Sequence, residues 1–124
     1  MLCGMPVVRR LLPLLLLAPA LLLTHPADAA DASCKQLFKV KSPRAHTVTT
    51  ITFVNQSKTQ RGILWLGFDG QPKDYGNVAP GEQKLLNSFV GHSWMVATGP
   101  GDCLGIVKSR DGGSMVRMTD TSVR

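Results

Sequence analysis

Beyond residue 46 the chain alternates apolar and polar positions in short runs separated by turn formers. Thr47–Asn55 (TVTTITFVN) alternates and is rich in β-branched residues, which predicts a strand. Ile63–Phe68 (ILWLGF) predicts a second. There Leu64, Leu66 and Phe68 fall on one face, read as the core face, with Ile63, Trp65 and Gly67 opposite. Asp69-Gly70 is a turn signal, and Gln71–Tyr75 makes a short third strand that Pro72 marks as irregular or edge. After Pro80-Gly81 come Gln83–Ser88 and His92–Ala97 as strands four and five. Gly99-Pro100-Gly101 breaks the pattern, and Cys103–Lys108 and Ser114–Met118 predict a closing hairpin around Asp111-Gly112-Gly113. Seven short strands without a helical period predict an all-β sandwich, with Thr119–Arg124 as a frayed tail.

The first residues follow a different rule. Arg9 and Arg10 precede the Leu-rich run Leu11–Leu23, and Ala27-Asp28-Ala29 supplies small residues in a small-x-small pattern. That order is expected of a secretory signal peptide over residues 1–29, cut after Ala29, with an uncleaved anchor as the alternative. The run itself is too short and too broken by Pro13 and Pro19 for a stable membrane span. The expected location is secreted or periplasmic.

Removing residues 1–29 also removes Cys3 and leaves Cys34 and Cys103. Two cysteines in an exported chain are expected to pair, two free buried thiols being the alternative. No CxxC and no His/Cys spacing suits zinc, so neither a metal nor a cofactor is expected. The remaining chain carries 12 Lys+Arg against 7 Asp+Glu. The basic residues are scattered without a Lys/Arg run, which favours acidic partners in general and argues against nucleic acid. Asn55-Gln56-Ser57 reads as an N-x-S sequon, but turn chemistry explains it more simply.

One constellation carries chemistry. Ser88 and His92 flank Phe89-Val90-Gly91, read as a three-residue hairpin loop whose ends face each other. Trp94 shares the face of His92 by alternation, Trp65 lies on the face opposite its strand's expected core, and Tyr75 ends the irregular strand. A hydroxyl, an imidazole, a phenol and two indoles could then line one small-ligand concavity; plain packing of the two tryptophans is the alternative. A Ser/His hydrolase is disfavoured, because there is no G-x-S-x-G and no acidic third member placed by spacing.

These residues carry a resemblance. Val48–Asn55, Leu64–Gly70 (LWLGFDG), Tyr75, Pro80-Gly81 and Ser88–Trp94 (SFVGHSW) resemble the β-domain family of the von Hippel–Lindau tumour suppressor, from about Thr47 to Lys108. The resemblance implies a seven-stranded, prealbumin-like β-sandwich over residues 47–118, preceded by a segment 30–46 that holds Cys34. It also implies a pocket for 4-hydroxyproline in an extended peptide. Ser88 and His92 match the pair that bonds the hydroxyl, Tyr75 the tyrosine that bonds a peptide carbonyl, Trp94 the floor and Trp65 a wall. Asn87 stands where the family has a histidine whose backbone carbonyl meets the peptide. Phe89 replaces a rim tyrosine, and Ser93 an apolar core residue. The family's helical adaptor-binding domain has no counterpart here, so a ubiquitin-ligase adaptor is not an expected partner. The expectation is a non-catalytic binder of hydroxyproline-containing or related peptides; the alternative is a structural or protein-interaction sandwich that keeps the fold without the ligand.

Overall fold

The computed structural model describes residues 30–124, together with Gly4 and Pro13 ahead of them. The expected signal peptide therefore lies outside the described residues. Seven strands follow a single 3-10 turn at Cys34–Gln36: β1 (Val48–Asn55), β2 (Arg61–Leu66), β3 (Pro72–Val78), β4 (Gln83–Phe89), β5 (Ser93–Ala97), β6 (Cys103–Lys108) and β7 (Ser114–Met118). They form two sheets, one in the order β4-β1-β7 and the other β3-β2-β5-β6. The chain is an all-β sandwich, as the alternation predicts.

The core between the sheets is built from alternate residues of each strand. Ile51, Phe53, Val116 and Met118 come from the three-stranded sheet, and Ile63, Trp94, Val96 and Val107 from the four-stranded one. Burying each such side chain contributes about 1.5–3 kcal/mol. Phe53 meets Trp94 edge-on at 6.1 Å between centroids. This reverses the expected facing of β2: Ile63 points into the core, whereas Leu64 and Leu66 point to the outer face. Leu66, Met95, Ala97 and Ile106 form a second cluster there, covered by Ala32, Leu37, Val40 and Cys103. Alternation alone does not rank the faces of a strand buried on both sides. Phe68 lies beyond the strand and is exposed.

The covering segment, residues 30–46, is a strap. The Cys34–Cys103 disulfide ties it to β6, with 5.8 Å between the Cα atoms. Ala32 N donates to Ile106 O at 3.2 Å, and Asp31 accepts from Lys108 N at 2.7 Å and pairs with Arg110. Further on, Ser42 N donates to Gly67 O at 3.1 Å, its hydroxyl donates to Leu66 O, and Ser93 N donates back to that hydroxyl at 3.0 Å. One buried serine thus laces the strap into the gap between the end of β2 and the start of β5.

Two expected hairpins are corners instead. Asp111–Gly113 does not fold β7 back on β6; it carries the chain to the other sheet, where β7 runs parallel to β1. Thr49 holds this corner, donating to Arg110 O at 2.7 Å and accepting from Gly113 N at 3.1 Å. Likewise, β4 pairs with β1 while β5 pairs with β2 and β6, so Phe89–His92 is a sheet-to-sheet turn. His92 N donates to Phe89 O at 3.0 Å, and Gly91 adopts φ +88°. A turn signal reports a local bend and not which sheet the next strand joins.

The C-terminal tail is not frayed. Arg117 and Arg124 exchange both backbone hydrogen bonds, at 2.8 and 2.9 Å, and Val123 is buried in the core against Gly105. The buried Arg61 guanidinium donates to Thr119 O and Asp120 O at 3.0 and 3.2 Å, fixing the tail from below. At the sequon, Asn55 is buried and its amide nitrogen donates to Thr59 O and Val78 O. It organises a turn and is not presented for modification.

Candidate functional site

β3 and β4 are edges of different sheets, and a cavity of about 200 Å³ lies at the end of the sandwich where Tyr75 of one approaches Asn87, Ser88 and Phe89 of the other. Trp65, Phe68, His92 and Trp94 complete its lining. Trp65 and Trp94 are direct cross-strand partners, which puts both indoles on the inner face. Trp94 is buried, and Tyr75 stands edge-on to it at 5.0 Å between centroids. The structure brings together all six residues picked from the sequence: Trp65, Tyr75, Asn87, Ser88, His92 and Trp94. The reason differs from the expected one, since Ser88 and His92 meet across a corner between sheets.

His92 is enclosed. Its ring lies 5.4 Å from Trp65, 5.9 Å from Phe68 and 5.3 Å from Phe89, centroid to centroid. Its Nε2 donates to the Pro43 carbonyl at 3.1 Å, so Nδ1 is unprotonated and accepts from Trp65 Nε1 at 3.2 Å. The two partners fix one neutral tautomer. Burial pulls the imidazole below its ordinary pKa, opposed by the bond to the Pro43 carbonyl. Protonation at Nδ1 would set two N–H groups against each other.

Ser88 is equally tied. Trp94 Nε1 donates to its hydroxyl at 3.1 Å and also to that of Ser109 at 3.2 Å, and the two hydroxyls share a hydrogen bond at 2.7 Å. A serine hydroxyl has one donor and two acceptor positions. One acceptor of Ser88 serves Trp94, and one position serves Ser109. One hydrogen-bonding position of Ser88 is left for the cavity.

Residues 40–104 match the family described as VHL beta domain, more than half of the chain. The chain belongs to that family. The VHL β-domain is a protein-binding module, and the match spans every residue of the cavity. Among the departures from the family pattern, Phe89 packs its ring on His92 and helps desolvate it. Ser93 is completely buried and its hydroxyl has no partner.

Ser109, Pro43 and Phe68 escape the sequence reading as members of the site, and Phe89 enters it only as a rim replacement. Ser109 was the most accessible to it. Val107 opposes Trp94 on β6, and two residues on Ser109 exchanges backbone bonds with the His92 turn, at 2.9 and 2.8 Å. Extending the β6 alternation by one step puts its hydroxyl beneath Ser88. Pro43 acts through its backbone carbonyl, which leaves no side-chain signature.

Proposed function

We propose that this VHL β-domain is a non-catalytic reader of extended peptides bearing 4-hydroxyproline, acting outside the cytosol. The observation that carries the reading is the convergence of Trp65, Tyr75, Ser88, His92 and Trp94 on one small cavity with aromatic walls and polar groups among them. The pyrrolidine ring would rest against Trp94 and Trp65. Its hydroxyl would take the open position on Ser88. A second bond, to His92 Nδ1, exchanges with the existing Trp65 N–H bond and so adds little net energy. Proline would leave the Ser88 position unpaired in a desolvated site, at a cost of about 1–3 kcal/mol, or roughly ten- to a hundredfold in affinity. Tyr75, half exposed at the rim, is available to a peptide carbonyl.

Hydrolysis gains no support from this geometry. Ser88 bonds Trp94 and Ser109 and not His92, and both His92 nitrogens are spoken for by Trp65 and Pro43. The Cys34–Cys103 disulfide supports an oxidising compartment, secreted or periplasmic. No helix among the described residues is long and apolar enough to cross a membrane.

A second reading rests on a different surface. Leu85, Thr52 and Met115 align across β4, β1 and β7 on the outer face of the three-stranded sheet. Leu85 and Met115 are 65% and 57% exposed, and Val48, on the same face, 68%. That face suits a protein-interaction sandwich that does not use the pocket.

Calorimetric titration of the oxidised protein with paired hydroxyproline and proline peptides separates the two readings. The reader predicts a preference for hydroxyproline that Ser88→Ala abolishes while the domain stays folded. Equal affinity of the parent protein for both peptides overturns it.

A further inference from the structure

Two cations stand against the aromatic walls of the cavity. The Arg44 guanidinium carbon lies 4.7 Å from the centroid of Phe68, and Lys73 Nζ lies 5.3 Å from that of Trp65. The two rings touch edge to face, with centroids 5.1 Å apart. Neither cation lines the cavity itself; each is exposed beside it.

Their backbones are placed independently. Lys73 sits on β3 directly opposite Trp65. Arg44 follows Pro43, whose carbonyl accepts the hydrogen bond from His92 Nε2, and Ser42, which is laced to β2 and β5. Arg44 therefore leaves a fixed point of the strap.

Neither cation has an anionic partner among the described residues. Among the described residues the ion pair found is Arg110–Asp31, on the strap. The carboxylates nearest in sequence serve the backbone: Asp69 accepts from Gln71 N at 2.9 Å, and Asp74 from Gly76 N at 2.8 Å. In both residues the charged group itself lies over the ring while the side chain stays exposed, so a cation–π contact holds each charge beside the cavity without neutralising it.

We propose that the module selects acidic peptides: a carboxylate within two residues of the side chain seated in the cavity, held by Arg44 and Lys73. This rests on the peptide-reader function and specifies its ligand. Exposed charges act mainly through steering and are screened by salt, so the preference is modest and ionic-strength dependent. The expected gain for an acidic flank is about three- to tenfold at low salt.

The test is a matrix of four labelled peptides, hydroxyproline or proline crossed with Asp or Asn flanks. Each is titrated by fluorescence anisotropy against the oxidised protein at low and high salt. The proposal predicts tighter binding of the Asp peptides, a smaller difference at high salt, and loss of the difference in Arg44→Gln/Lys73→Gln. Arg44→Lys/Lys73→Arg should retain it. Equal affinity for Asp and Asn flanks, with hydroxyproline still preferred over proline, overturns this proposal and leaves the reader function standing. An Asp preference without a hydroxyproline preference supports the charged rim and sinks the pocket chemistry. Failure of all four peptides to bind overturns both.

Discussion

The strap is the part of the molecule whose removal has the most calculable effect. Replacing both cysteines in Cys34→Ser/Cys103→Ser opens a cross-link spanning a sequence separation of 69. On the chain-entropy model, freeing a loop of that size in the unfolded ensemble costs about 4 kcal/mol of stability. A domain of this length has on the order of 5–14 kcal/mol in total, so the variant should still fold but lose a large share. With a urea dependence of about 1.5 kcal/mol per molar, the midpoint should fall by about 3 M. The assay is urea denaturation of oxidised parent and double variant, followed by tryptophan fluorescence. Both tryptophans lie in the pocket, so the same signal reports whether the strap still seats Pro43 against His92. A midpoint shift below about 0.5 M would mean that the link constrains the unfolded chain little, and would refute the chain-entropy reasoning.

Three further outcomes follow from named groups. His92 has a folded-state pKa held below 6.5 by burial, so as pH falls the unfolded chain takes up the proton first. Stability is therefore full above about 6.5 and declines as pH falls from there to the folded pKa, with a slope no steeper than about 1.4 kcal/mol per pH unit. His92→Gln should flatten that part of the urea-midpoint profile, and an unchanged profile would show that His92 does not set it. Ser93→Ala removes a fully buried hydroxyl that has no partner and should stabilise by about 1 kcal/mol; a lower midpoint would point to a hidden partner. Ser109→Ala leaves Trp94 bonded to Ser88 alone, costs about 1 kcal/mol, and should weaken hydroxyproline binding more than proline binding in paired titrations.

Much of this architecture is legible in the sequence. Strand positions follow from alternation: β6 and β7 fall where their sequences put them, and β1 begins one residue late. The disulfide follows from setting aside Cys3 with the expected leader, which leaves Cys34 and Cys103 as a pair. What alternation cannot carry is the division into sheets. The turns before β5 and before β7 look like hairpin loops, yet each crosses to the opposite sheet, since the choice depends on partners distant in sequence. Nor can it rank the two faces of β2, because the strap buries the outer one. The tail reads as a frayed terminus, but it is anchored by one apolar residue, Val123, together with carbonyls that satisfy Arg61.

The candidate site divides in the same way. Four of its side-chain members, Asn87, Ser88, His92 and Trp94, cluster in one short stretch, and Trp65 and Tyr75 join them through strand alternation. Its supporting groups are Ser109, just past β6, and the Pro43 backbone carbonyl on the strap, so that the sequence motifs are only half of the pocket. These supports decide the chemistry, because they set the His92 tautomer and leave Ser88 a single open position.

The proposed reader tells hydroxyproline from proline through the groups that its two indoles touch. The chain has two tryptophans, and their indole N–H groups bond His92 and the Ser88–Ser109 pair. A proton–nitrogen correlation spectrum therefore contains two indole signals, both in the pocket. Titrating the ¹⁵N-labelled oxidised protein with a hydroxyproline peptide should move both indole signals, and the matching proline peptide should move them far less at equal concentration. Identical shifts from the two peptides, or shifts confined to residues outside the cavity, would overturn the reader function.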